Sequence, residues 1–541
     1  MANELNYLTI AEASKRIAAG KLSSVDLTEA CLARIAAVED RVSSFILLLA
    51  DQARAAARAA DEEIRKSGPR SPMHGIPIGL KDIYDTAGIA TTGHSRRMQG
   101  RIPPADSVCT QKLGEAGSIL LGKLATHEFA TGGPSFDLPW PAARNPWRLD
   151  RFPGGSSSGS GSAVACGEVL GAMGSDTGGS IRLPAAFCGT AGIKPTYGRV
   201  SKRGVLPLSW TFDNCGPLAW TAEDCAIMLQ AVAGYDPQDP CSADVPVPDF
   251  RAGINDGVKG LRIGIVRHFY ESDRPASKEA VAAMDAAISV LRGLGAEIRE
   301  VTLPPLADYQ ACFRIIALAE AFSIHEEDLK SRPQDCGEVF RYRVMPGALV
   351  TSADYVAAQR QLRKLVARTL AAFDGVDALV TATTFAGAPV IRSMRSEANF
   401  ADPPLTPPFN VAQCPAIAIC NGYTSDGMPL SMQIAGRPFD EAMVFRVAHA
   451  YERETTWRQT RPSLIASPDG APTAAPAGRA TEDYATLARR ADLSLPEAQL
   501  QALAEAMPHV EAMTRRLPRE CDYGDELMNI TMLLVEGTDN V

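Results

Sequence analysis

Residues 151–180 read RFPGGSSSGSGSAVACGEVLGAMGSDTGGS and run without interruption into IRLPAAFCGT at 181–190. Glycine and serine at this density suit a flexible tether. The apolar residues between the glycines argue the other way, because a tether has nothing to bury and VACGEVLGAM and IRLPAAFCG do. The stretch is therefore expected to lie inside a folded core, and its serines become candidates for chemistry. Gly155-Ser156-Ser157-Ser158-Gly159 formally satisfies the G-x-S-x-G nucleophile elbow. That elbow needs a strand immediately before it, whereas ARNPWRLDRFP at 143–153 is charged and broken by Pro146 and Pro153. A phosphate loop at Gly117–Gly122-Lys123 fails because Leu124 stands where a magnesium-binding hydroxyl belongs, so the segment reads as a strand. No lysine has a serine three positions before it, which removes a Ser-x-x-Lys enzyme.

Working outward, a chain of 541 residues is too long for one simple core and suggests a large domain with something smaller attached. A formal charge of −9, with no clustered Lys and Arg, speaks against a nucleic-acid surface. The start, MANELNYLTI, lacks a signal-peptide pattern, and no run reaches the roughly 18 apolar residues of a membrane span, so a cytoplasmic protein without membrane association is expected. Twelve cysteines without a C-x-x-C pair read as small buried apolar residues, and seven scattered histidines do not suggest a metal centre.

The N-terminal part carries a Thr9-x-x-Glu12 capping box followed by apolar residues at helical spacing. Short apolar runs (GIPIGL, SILLGKL, LRIGIV, VDALVTAT) then alternate with helical patterns such as SKEAVAAMDAAISVLRGLG. That alternation predicts an α/β fold with a largely buried sheet. The expected division is a catalytic domain over 1–465, a Pro/Ala-rich linker over 466–482 and a helical C-terminal segment over 483–541. The last carries a Ser494-x-x-Glu497 capping pattern and an apolar stripe at Leu500, Leu503, Met507, Val510, Met513 and Leu517. It is too short to bury that stripe alone, so it must dock on its own domain or on another chain, and a homodimer is expected.

Three segments together resemble the amidase signature family: GIPIGLKD at 75–82, PGGSSSGSGSAVA at 153–165 and GSDTGGSIRLPAAFCGTAGIKPTYGRVS at 174–201. Supporting similarity, including DNCGPLA and FNVAQCPAIAICNG, extends over residues 5 to 460. The family commonly reads Gly-Gly-Ser-Ser-Gly-Gly where Ser158 and Ser160 depart from glycine here, but Ser156 keeps the family's spacing of 180 − 156 = 24 residues to Ser180. The resemblance implies a single large mixed-sheet core covered by helices, with Ser180 as nucleophile, Ser156 as bridging hydroxyl, Lys81 as base and a cis peptide at Gly155-Ser156. It also implies a metal-free and cofactor-free amide hydrolase. The chemistry of these residue types agrees: a serine hydroxyl needs a base, and a lysine serves only if burial keeps it neutral.

Backbone N–H groups of Thr177, Gly178, Gly179 and Ser180 are expected to form a nest for the oxyanion of the tetrahedral intermediate. Asp176 and Arg182 flank that nest as a structural pair. Trp210 and Phe212 either line the acyl pocket or belong to plain core. The tail, from YATLARRADL to YGDELMNI, resembles the small accessory polypeptides of some amidase-signature enzymes, including the C subunit of the tRNA-dependent amidotransferase; a docking helix pair without a chemical role is the competing reading. The reading is hydrolysis of a small-molecule amide through an acyl-enzyme. Its alternatives are the glutaminase (A) subunit of a tRNA-dependent amidotransferase and, from another class, a catalytically silent binding or scaffold protein.

Overall fold

In the computed structural model, residues 5–394, 398–401, 403–464 and 482–518 are described. Eleven strands form one mixed sheet: β1 Phe45–Leu48, β2 Pro77–Lys81, β3 Ile119–Leu124, β4 Gly171–Ser175, β5 Ala191–Lys194, β6 Cys215–Ala219, β7 Arg262–Ile265, β8 Glu297–Glu300, β9 Ala378–Ala382, β10 Ala416–Tyr423 and β11 Pro429–Ala435. Their order across the sheet is β1-β3-β2-β4-β6-β5-β10-β11-β9-β7-β8. The alternation read from the sequence puts the four apolar runs on β2, β3, β7 and β9. Parallel pairing joins β2 to β3 and β4, and β7 to β8 and β9, while β10 and β11 run antiparallel through the middle. Central strands such as β2, β4, β6, β9 and β11 are buried along their whole length. Helices covering both faces explain why their sequences run apolar rather than alternating.

The Thr9 capping box is present, with Thr9 accepting from the Glu12 N–H and Glu12 reaching back to the Thr9 N–H. The C-terminal helix departs from expectation at its start: it spans Glu497–Arg516 with Pro496 at the N-cap, not Ser494. Proline at that junction has a fixed φ suited to helix entry and displaces the cap two residues along the chain. This helix lies against its own domain, on helices Leu306–Ser331 and Glu338–Val344, and buries Leu503, Met507, Val510, Met513 and Leu517. The apolar stripe is thus covered within one chain, which removes the physical reason for expecting a dimer through it. The linker expected over 466–482 falls outside the described residues up to 481, as does YGDELMNI at 523–530. Among the described residues no helix is long and apolar enough to cross a membrane, and no acidic, His or Cys cluster has a metal-binding arrangement.

Candidate active site

Two parallel strands bring the first chemistry together. β2 pairs with β4 in the register Ile78↔Gly171, Gly79↔Ala172, Leu80↔Met173, so Lys81 and Ser175 end adjacent strands at the same edge of the site. Alternation along β2 sends Lys81 and Asp82 to different partners. Asp82 takes the N–H and Oγ1 of Thr92 and stands 3.4 Å from Lys123 Nζ, with both ion-pair partners fully buried. Lys81 Nζ lies 2.7 Å from Ser156 Oγ and 2.8 Å from Ser175 Oγ, and the side chain is inaccessible to solvent. Burial pushes its pKa down to about 7, although the Asp213 and Asp176 charges pull the other way. A neutral amine near neutral pH can accept a proton from a hydroxyl, which an ordinary surface lysine cannot.

Ser156 follows a cis Gly155-Ser156 peptide. Its carbonyl accepts from the His127 N–H. A Cβ on Gly155 would stand 1.9 Å from His127 Cε1, so only glycine fits there. The neighbouring serine of the rejected elbow, Ser157, is fully buried, and its Oγ exchanges hydrogen bonds with the backbone of Ser175. Its own N–H reaches the Ser180 carbonyl at 3.3 Å, tying the two serine loops together. Ser180 itself is half-buried and lines a cavity of about 150 Å³ with Gly155, Thr177 and Gly178. The sequence reading missed Ser175; only strand pairing shows that this residue, an ordinary β serine by pattern, touches Lys81.

The expected nest is narrower than four N–H groups. Asp176 accepts from the N–H of Gly179 at 2.7 Å, and also from Ile181 and Arg182. Gly179 is therefore committed to the loop, which leaves Thr177, Gly178 and Ser180 as candidate oxyanion donors. Gly179 has φ of 128°, and a Cβ there would meet Thr406 Oγ1, so the turn requires glycine. Asp176 and Arg182 form the structural pair expected of them, both fully buried with Nε 3.0 Å from Oδ2. Burial alone would raise the Asp176 pKa, but Arg182 and Asn410 outweigh it and hold the carboxyl far below the usual range.

Trp210 and Phe212 do not line the cavity at Ser180. Trp210 is 55 % exposed and borders a separate cavity of about 270 Å³ that reaches Ser175 from another side. Phe212 is fully buried behind Phe313, ring centroids 5.2 Å apart, and the aromatic residues that line the cavity are Phe313 and Phe152. Two further lining residues, Arg314 and Arg343, carried no signal in the sequence, since single arginines on helices look like solvated surface.

The sequence profile of the Amidase family matches residues 26–445. The chain is 42 % identical over 486 residues to the A subunit of the glutamyl-tRNA(Gln) amidotransferase of Chloroflexus aggregans, covering 85 % of this chain and 99 % of that one. Among solved structures, it is similar to a protein complex described as revealing the evolutionary origins of an s-triazine catabolic enzyme (TM-score 0.77, 32 % identity, 83 % of this chain and 98 % of that one). It is also similar to the peptide amidase of Stenotrophomonas maltophilia (TM-score 0.73, 31 % identity, 84 % and 98 %).

Proposed function

The chain belongs to the amidase family, and from that premise we propose that it cleaves a small carboxylic amide through an acyl-enzyme on Ser180, releasing ammonia or an amine. The observation that carries this reading is Lys81, buried, held down to about 7 and within 2.7 Å of Ser156 Oγ. Ser180 Oγ attacks the substrate carbonyl as its proton passes to Ser156, and the Ser156 proton passes to neutral Lys81. Ser175 holds the amine in line from its other side. The N–H groups of Thr177, Gly178 and Ser180 receive the oxyanion. Collapse of the tetrahedral intermediate breaks the C–N bond, and the leaving nitrogen takes the proton back along the same chain. Water then attacks the ester, its proton following the same path, and the acid departs with Ser180 restored.

The names of the relatives favour a second reading, which they fit better than a free-standing small-molecule hydrolase: glutamine hydrolysis as the A subunit of a tRNA-dependent amidotransferase. That role requires partner chains to receive the ammonia. The test is common to both. A fluorophosphonate is expected to label Ser180 alone, and Ser180→Ala to abolish ammonia release from every amide while the thermal melt stays unchanged. Labelling on Ser157, or turnover surviving in Ser180→Ala, sinks the assignment. Glutaminase activity that appears only when the partner chains of the amidotransferase are added separates the second reading from the first.

A further inference from the structure

The cavity at Ser180 holds charges that acyl transfer does not use. Arg314, on the Leu306–Ser331 helix, and Arg343, on the Glu338–Val344 helix, are the charged residues among its described lining. Both Nε atoms are buried without a hydrogen-bond partner, and among the described residues neither guanidinium has a carboxylate or carbonyl to receive it. Arg314 lies over the rings of Phe313 and Phe400 at 5.5 and 5.8 Å. Arg343 reaches Gly132, beside the His127 and Gly155 contact that frames the cis peptide: its Cδ would stand 3.3 Å from a Cβ on Gly132. Burial pushes Arg314 down to about 10 and Arg343 down to about 9, and the Arg314 charge adds to the second shift. The two cations thus repel each other across one small space.

By contrast, Arg182 is paired with Asp176 and Arg199 stands 3.3 Å from Glu441 within the fold, whereas Arg314 and Arg343 are partly buried and have no ion-pair partner among the described residues. Two partly buried guanidiniums facing one cavity, unpaired among the described residues, repel each other, and a countercharge arriving with the ligand relieves that repulsion. Phe313, Ala317, Leu318 and Val344 line the space between them with apolar surface, so the field there is weakly screened and acts on whatever binds. About 150 Å³ is room enough for a short acyl chain.

We propose that Arg314 and Arg343 clamp a carboxylate on the acyl portion of the substrate, so that the enzyme prefers compact amides of net negative charge, such as the monoamide of a short dicarboxylic acid. Zwitterionic glutamine ranks below them, because its ammonium enters a field set by two cations, and neutral amides rank below as well. This rests on Ser180 being the nucleophile as proposed above. Planar guanidiniums suit the purpose, since each offers a carboxylate paired donors in fixed geometry.

The experiment is steady-state hydrolysis of malonamate, succinamate, L-glutamine and the neutral amide butyramide by the full-length protein. The best anionic amide is expected to exceed butyramide by about 100-fold in kcat/KM, and Arg314→Gln or Arg343→Gln to shrink that ratio by about 10- to 100-fold, chiefly through KM. In a measurement that needs no variant, malonate or succinate should protect Ser180 from fluorophosphonate, with protection fading as salt rises. Equal rates on anionic and neutral amides, glutamine leading the series, variants that lower all substrates alike, or absence of protection each overturn the clamp. Turnover that survives Ser180→Ala overturns the catalytic reading instead, so the two failures are distinguishable.

Discussion

At the scale of single residues, the proposed mechanism makes Lys81 the group whose protonation decides activity. Its folded pKa, about 7, lies below the ordinary 10.5 because a charged ammonium has no water around it on β2. Below that value the amine is protonated and cannot take the Ser156 proton; above it the lone pair is free. We therefore expect kcat/KM to rise with pH through a midpoint near 7 and then level, and Lys81→Arg, which stays charged, to lose activity at every pH. A pH profile with its acidic limb near the value of free lysine contradicts this account. Lys81, Ser156 and Ser180 stood out as candidates in the sequence because their flanking motifs are long and specific. Arg314, Arg343 and Ser175 were not, since each sits in a run that reads as generic helix or strand and acquires meaning only from what stands opposite.

At the scale of elements, the site is made where chain segments meet rather than within any one of them. The β2 and β4 register sets Lys81 beside Ser175. The Asp176 carboxylate, by taking three N–H groups, shapes the loop that presents Ser180. The C-terminal helix Glu497–Arg516 belongs to the same assembly from outside. A cavity of about 120 Å³ separates its Ala498, Gln499, Ala502 and Leu503 from Tyr342 and Met345, the near neighbours of Arg343. Arg516 approaches Asp308 at 3.6 Å at the other end of the contact. The helix that presents Arg343 is seven residues long and has no side-chain cap, so it depends on packing for its place. Leu503 is 2 % exposed, and Leu503→Ala is expected to cost about 2–4 kcal/mol of docking. Hydrogen exchange should then rise across 497–516 and 338–344, and selectivity for anionic amides should fall more than labelling of Ser180. Unchanged exchange at 338–344 in that variant means the tail helix does not support the arginine.

At the scale of the whole molecule, the serines proposed for catalysis come from the first 180 residues, and much of the cavity wall, including Phe313, Arg314, Leu318 and Arg343, comes from later helices. Arg182 fastens the two parts. Besides Asp176 it donates to the Thr406 carbonyl at 2.8 Å, Gln433 Oε1 at 2.9 Å and Asn410 Oδ1 at 2.5 Å, all from the later half of the chain. Arg182→Met leaves Asp176 buried without its counterion and is expected to cost about 3–5 kcal/mol, read as a drop in urea midpoint at constant m-value. A midpoint within error of the unmodified protein refutes that role. The sequence by itself determined the layered α/β class, the glycines of the turns around the candidate site and the presence of an amphipathic tail, and it singled out Lys81, Ser156 and Ser180 as candidates, because local motifs and periodicity report what each segment buries. Tertiary structure alone decided which hydroxyls reach Lys81, that the Gly179 N–H is taken by Asp176, that the tail helix lies on its own domain, and that two arginines line the cavity at Ser180 without a counterion among the described residues. Apart from the Gly179 turn, which Asp176 closes three residues away, those facts depend on strand register and helix packing between segments far apart in the chain, a distance over which local pattern carries no information.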